Sequence, residues 1–184
     1  MNTTTLTLNE SWFSRRNLFD WVFAALVLAG GLFAFVRYAG AMDSYEKPIL
    51  VAAMISVIAI GWFWRPLRVL AIVVAAASLL AIGSYQGDLA RADTVFWLKY
   101  FLSSQSAILW MSVLFFMSTL FYWLGFFGGK QGDTFELIGS RLTWAAIAMA
   151  LIGTMVRWYE SHLIGPDIGH IPVSNLYEVF VLFC

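Results

Sequence analysis

Val69–Gly87 reads VLAIVVAAASLLAIGSYQG, a run without one charged side chain. At a rise of about 1.5 Å per residue, a helix over this run spans most of the roughly 30 Å hydrocarbon core of a bilayer. In lipid the backbone of such a run must satisfy its own N–H and C=O groups, which a helix does. The same pattern returns on both sides, in Trp21–Val36, Pro48–Trp64, Tyr100–Gly129 and Leu142–Val156. The longest of these exceeds one straight span, so Tyr100–Gln105 is assigned to the preceding loop and the helix to Ser106–Phe127. The shorter windows need help at their ends. Arg37, Arg141 and Arg157 can snorkel, and Phe19, Trp62, Trp64, Trp158 and Tyr159 suit the interface. The fold class that follows is all-α, a polytopic membrane helix bundle. It has five full transmembrane helices and the start of a sixth.

Composition agrees with that reading. Hydrophobic residues make up 61% of the 184-residue chain and charged residues 12%, against about 25% charged in a soluble domain. Eleven basic residues balance eleven acidic ones, and no basic run or basic–aromatic patch points to nucleic acid. The single cysteine, Cys184, excludes a disulfide framework, a cysteine-based metal site and a Cys-x-x-Cys-His haem attachment motif. Residues 1–18 form a polar N-terminal segment and residues 19–184 the transmembrane helical region. Trp21–Val36 is too long for a signal-peptide core and no small-x-small cleavage site is obvious, so it reads as a retained signal anchor.

The connections are short. Arg65-Pro66-Leu67-Arg68 is a tight turn, with Pro66 suited to a helix start, and the glycines of Gly128–Asp133 end the fourth span. Asp93–Ser103 mixes apolar and charged residues and is expected to lie on the membrane surface as a short amphipathic helix. With the N-terminus inside, Arg15, Arg16, Arg65, Arg68, Lys130 and Arg141 are cytoplasmic. Arg37, Lys47, Arg91, Lys99 and Arg157 are then outside. That slight excess, led by the first helix and the Arg65/Arg68 turn, gives an N-inside topology and puts the last loop, Arg157 to about Ser174, on the outer face.

Few residues suggest chemistry. No ionisable group lies deep in a span, which argues against a pump or an ion-coupled transporter. Gly30-Gly31 and Ala75-Ala76-Ala77-Ser78 read as helix-packing patches. No internal repeat stands out. His162 and His170, the only histidines, lie in the last loop without further ligands at metal spacing. A hydrogen-bonded or solvated loop histidine is the ordinary reading of His162, and His170 is set apart by its neighbours. Those are Gly169-His170-Ile171-Pro172-Val173-Ser174-Asn175-Leu176-Tyr177-Glu178. Pro172 keeps Ile171 extended. Asn175 can cap a helix with Glu178 three residues on, and Val179–Cys184 continues it. An end at Cys184, mid-helix, would leave carbonyls unsatisfied at membrane depth, so the chain reads as the N-terminal part of a longer protein.

The segment from Gly169 to Glu178, preceded by Arg157-Trp158, resembles the Gly-His-x-Pro-(Val or Leu)-Ser-Asn-Leu-Tyr-Glu segment of the system II cytochrome c assembly proteins of the CcsA or ResC type. The close likeness covers residues 157–184. It implies a multi-pass protein that, with a second system II membrane component, brings haem to the outer face for thioether attachment to apocytochrome c. It places the protein in a bacterial plasma membrane, with the thylakoid membrane as the other setting. Gly169, His170, Pro172, Ser174, Asn175, Tyr177 and Glu178 would then be a structural element near the haem-handling face. The family's tryptophan-rich motif and histidine ligands follow this segment and have no counterpart here. Haem is therefore expected for the intact protein and not for residues 1–184 alone, and no catalytic, cofactor-binding or metal residue is assigned. The family takes part in haem–apocytochrome ligation; this chain by itself is expected to be inactive. The alternative is a membrane scaffold subunit without haem chemistry.

Overall fold

In a computed structural model of the chain, residues 16–40, 44, 46–128 and 132–165 are described. Every regular element among them is helical. These are α1 (Leu18–Tyr38), α2 (Glu46–Phe63), α3 (Arg65–Tyr85), the single turn α4 (Arg91–Thr94), a π-helical turn (Leu98–Leu102), α5 (Ser104–Phe127) and α6 (Gly132–Ile164). The all-α helical membrane architecture expected from the apolar windows is present. By length and composition, four of these helices can cross a membrane, namely α1, α3, α5 and α6. The apolar stretch of α2, Lys47–Phe63, is shorter, because Glu46 and Lys47 open the helix and Trp64 separates it from α3. The described residues thus hold four spans by this measure where five were expected. The start of the sixth lies outside them.

Two expected boundaries differ, the C-terminal end of α6 and the segment between α3 and α5. The 33 residues of α6 make it about 50 Å long, well beyond the charge-free window Leu142–Val156. The helix continues through Arg157-Trp158-Tyr159-Glu160 to Ile164, so the first part of the expected outer loop is helix. Charged side chains ended the window but not the helix, since helical hydrogen bonding is indifferent to the change from lipid to water. The expected surface helix over Asp93–Ser103 is likewise replaced by the turn α4 and the π-helical turn.

The chain forms two compact units, residues 1–69 and 70–184, with the boundary inside α3. In the first, polar groups tie the start of α1 to the end of α2. Asn17 N–H donates to Asp20 Oδ2 (2.9 Å), the returning half of a capping box. The Trp62 indole donates to the Asp20 carbonyl (2.9 Å), and Arg16 donates to the Trp62 carbonyl (2.6 Å). Asp20, which is buried, also pairs with Arg68, whose Nε donates to the Gly61 carbonyl (2.5 Å).

The second unit is built on an antiparallel α5–α6 pair. The buried seam of α6 carries Gly132, Gly139, Ala146, Gly153 and Glu160, each seven residues after the last. Opposite stand Ser104, Ala107, Ser118 and Gly125 of α5. A seven-residue period keeps one stripe of a helix facing a neighbour. Because the stripe is small, the backbones come close. A Cβ on Gly139 would lie 3.3 Å from the Ser118 carbonyl oxygen, and one on Gly132 would lie 2.8 Å from that of Gly125. Ser118 Oγ donates to the Gly139 carbonyl (2.8 Å) and meets Thr143 Oγ1 at 2.7 Å. Between apolar helices in lipid, such close packing and interhelical hydrogen bonds replace the hydrophobic effect as the source of association. Ala81, Tyr85, Leu98, Ile152 and Val156 form the core at the other end of the pair.

Candidate functional site

That core carries a polar cap where α3 ends, α5 begins and α6 nears its end. α3 stops at Tyr85 because Gln86 and Gly87 adopt left-handed backbone (φ 49° and 81°), a helix stop that Gly87 takes at no steric cost. α5 starts behind an extended Ser103, whose Oγ accepts from Ser106 N–H (3.4 Å). On α6, Glu160 falls at the next heptad position after Gly153, so its side chain enters the seam at the first turn of α5.

The Glu160 carboxylate is buried and well supplied with donors. Tyr85 Oη donates to Oε1 at 2.5 Å and Ser104 N–H donates to the same oxygen at 3.1 Å. Ser104 Oγ donates to Oε2 at 2.5 Å, and Arg157 Nη1 lies 3.9 Å from that oxygen. Glu160 therefore caps α5 from another helix, placing negative charge at the positive end of the α5 dipole. Tyr85 is fully buried and its ring sits 6.0 Å from that of Tyr159. A carboxylate held by three short-range donors has little capacity left to act as a base or a ligand. Its chemistry is that of a clasp joining three helix ends. Beside it opens a cavity of about 310 Å³, whose walls include Asp93, Lys99, Ser103, Gln105, Ser106 and Arg157.

The sequence-derived segment Gly169, His170, Pro172, Ser174, Asn175, Tyr177 and Glu178 lies outside the described residues. His162 sits exposed in the last turn of α6, apart from the Glu160 cluster's hydrogen bonds. Among the described residues no group of three or more His, Cys, Asp or Glu side chains could hold a metal ion. Tyr85, Ser104 and Glu160 were missed by sequence reasoning. The signal that could have found them is the heptad of small residues from Gly132 to Gly153, which runs directly onto Glu160. Of the small-residue patches singled out instead, Gly31 packs on the Met54 side chain and Ser78 is buried, while Gly30, Ala75 and Ala76 face open space.

No family model and no solved structure matches the chain. A curated protein does. The cytochrome c biogenesis protein CcsA of Chlorella vulgaris is 33% identical over 75 residues, covering 39% of this chain and 21% of that protein. The match thus spans about a fifth of the relative's length. This partial likeness is to a protein of the assembly family that the Gly169–Glu178 segment resembles.

Proposed function

We propose that the chain is a membrane part of a cytochrome c assembly protein, which helps present haem at the outer face for thioether attachment to apocytochrome c. The observation that carries this reading is the 33% likeness to a CcsA protein, joined to the Gly169–Glu178 segment. Thioether formation adds each cysteine S–H across a haem vinyl C=C, so the bond forms without a leaving group or a redox step. What it demands of the protein is that haem and the two thiols be held in register. In an N-inside topology with α2 counted as a span, the Tyr85–Ser104–Glu160 clasp lies at the outer end of the bundle. It fixes the C-terminal end of α6, five residues before Gly165 and shortly before the Gly169–Glu178 segment. The helices described here would then act as the frame for haem-handling parts in the whole protein. A second system II membrane component and apocytochrome c are its proposed partners, and a bacterial plasma membrane or a thylakoid membrane its setting.

The test is deletion of the gene in a host that makes its c-type cytochromes by this route, with covalently bound haem followed on denaturing gels. Loss of haem-stained c-type cytochromes, restored by the gene in trans, is expected. Undiminished covalent haem overturns the proposal.

A scaffold role without haem chemistry is favoured by one observation, the saturation of Glu160 by structural donors. It predicts that deletion destabilises a membrane complex while covalent haem in soluble c-type cytochromes is unchanged.

A further inference from the structure

Between α3 and α5 the chain runs over the end of the bundle, and its side chains divide by chemistry. Leu98 points inward and is fully buried against Ala81, Tyr85, Ile152 and Val156. Asp93 and Lys99 border the polar cavity beside Glu160. The rings of Phe96, Trp97, Tyr100 and Phe101 are exposed, Phe96 and Trp97 at 59% and 58%. They form a ridge of mutually packed aromatics, with Phe96 within 5.6 Å of Trp97 and 5.1 Å of Tyr100, centroid to centroid.

We propose that this ridge is a membrane-interface anchor, seated among the phospholipid headgroups and first acyl carbons of the leaflet in which α3 ends and α5 begins. Continuity with the wall of α5 is the first argument. Phe101 stacks flat on Trp110 (5.7 Å, 4° between planes), and Trp110 belongs to the same exposed apolar surface as Leu109, Val113 and Phe116. That surface is the flank of a membrane span, so a ring stacked on it meets lipid. Depth is the second. Trp110 lies six residues into α5 from Ser104, about 9 Å along the helix axis, which is within reach of the acyl boundary if Ser104 is at headgroup level.

Hydrogen bonding is the third argument. The Trp110 indole donates to the Tyr100 carbonyl (2.7 Å), so the polar atoms that would be hardest to place near hydrocarbon satisfy each other. The remaining polar tips, the Trp97 N–H and the Tyr100 hydroxyl, belong to the side chains that prefer the headgroup layer. Lys99 completes the pattern. Its ammonium lies 5.7 Å from the centroid of the Tyr100 ring, and its stem is long enough to reach lipid phosphate. A protein partner would need the ridge clear of the bilayer, against its continuity with α5.

The test places one nitroxide at a time at Phe96, Trp97 or the exposed Ala90, in the full chain with Cys184→Ser, reconstituted in phosphatidylcholine–phosphatidylglycerol vesicles. A single replacement at 96 or 97 leaves three of the four ridge rings in place, and one at 90 leaves all four. Collisions with oxygen should dominate over those with a water-soluble nickel chelate at 96 and 97, and the order should reverse at 90. Chelate dominating at 96 and 97 overturns the proposal. Exclusion of both reagents there overturns it as well, since the ridge is then covered by protein. A second measurement needs no substitution at the ridge. A phospholipid with a photoactivatable acyl chain, crosslinked to the unlabelled chain, should give adducts within 96–101 by mass spectrometry, and their absence rejects the anchor.

Discussion

The α5–α6 and α1–α2 pairs are both apolar helices packed side by side, yet they associate in different ways. The α5–α6 pair meets along its whole length through glycine, alanine and serine, with backbone against backbone and a carboxylate clasp at one end. In α1–α2, single side chains bridge the gap. Phe23 lies over Gly61, Met54 lies over Gly31, and the polar ties gather around Asp20 and Trp62. A small-residue seam tolerates almost no enlargement, because the atoms it would strike are backbone. A pair joined by flexible side chains can yield. In lipid, where apolar surface gains little by leaving the solvent, this distinction matters more than the amount of apolar area in contact.

The largest effect should come from the clasp. Glu160→Ala strands the Tyr85 hydroxyl and both Ser104 donors, and at 1–3 kcal/mol for each unsatisfied buried group the loss should reach about 4 kcal/mol. Detergent-titration unfolding of the reconstituted chain, followed by circular dichroism, would read it. Glu160→Gln keeps an acceptor for Tyr85 and should lose less than half as much. Equal losses would show that charge at the α5 N-terminus, and not hydrogen bonding, holds the site.

Next is Gly139→Leu, which drives a side chain into the Tyr122 ring and the Ser118 carbonyl; overpacking of this kind costs about 2–3 kcal/mol. Should the same assay show no change, the close α5–α6 approach is wrong and the contrast between the two pairs fails. Asp20→Ala removes a cap and the Arg68 pair in the other unit, and should cost about 1–2 kcal/mol. A loss as large as that of Glu160→Ala would place the two polar clusters on an equal footing. The smallest effect belongs to Gly30→Ala. The new methyl meets open space and the helix propensity improves, so stability should rise by up to about 1 kcal/mol. A clear loss would mean that α1 has a neighbour on that face.

Much of the fold was legible. The charge-free windows located the cores of all five long helices, since a run of that length without charge has few other ways to be solvated. Pro66 and the Gly128–Asp133 cluster marked two connections where α2 gives way to α3 and α5 to α6. The ends were read less well. Arg157 closed the last window, whereas α6 continues to Ile164 because a helix leaving the bilayer keeps its own hydrogen bonds.

The site was the harder part. Glu160 reads in isolation as one more acidic residue in a wet loop, and Tyr85 as the tail of an apolar run. The heptad Gly132, Gly139, Ala146, Gly153, Glu160 contained the answer, but a stripe of small residues among larger apolar ones makes no contrast in hydropathy.

By itself, then, the sequence determined that the chain is a bundle of membrane helices, where the cores of its long apolar helices run, and which assembly family its Gly169–Glu178 segment resembles. These are properties of single segments, set by the match between apolar length and bilayer thickness. Only the tertiary structure decided that Glu160 turns inward to cap α5, that Tyr85 and Ser104 meet it, and that Leu98 enters the core while its aromatic neighbours stay outside. Each of those depends on the registration of one helix against another, which local sequence leaves open until close packing of the small-residue seam selects it.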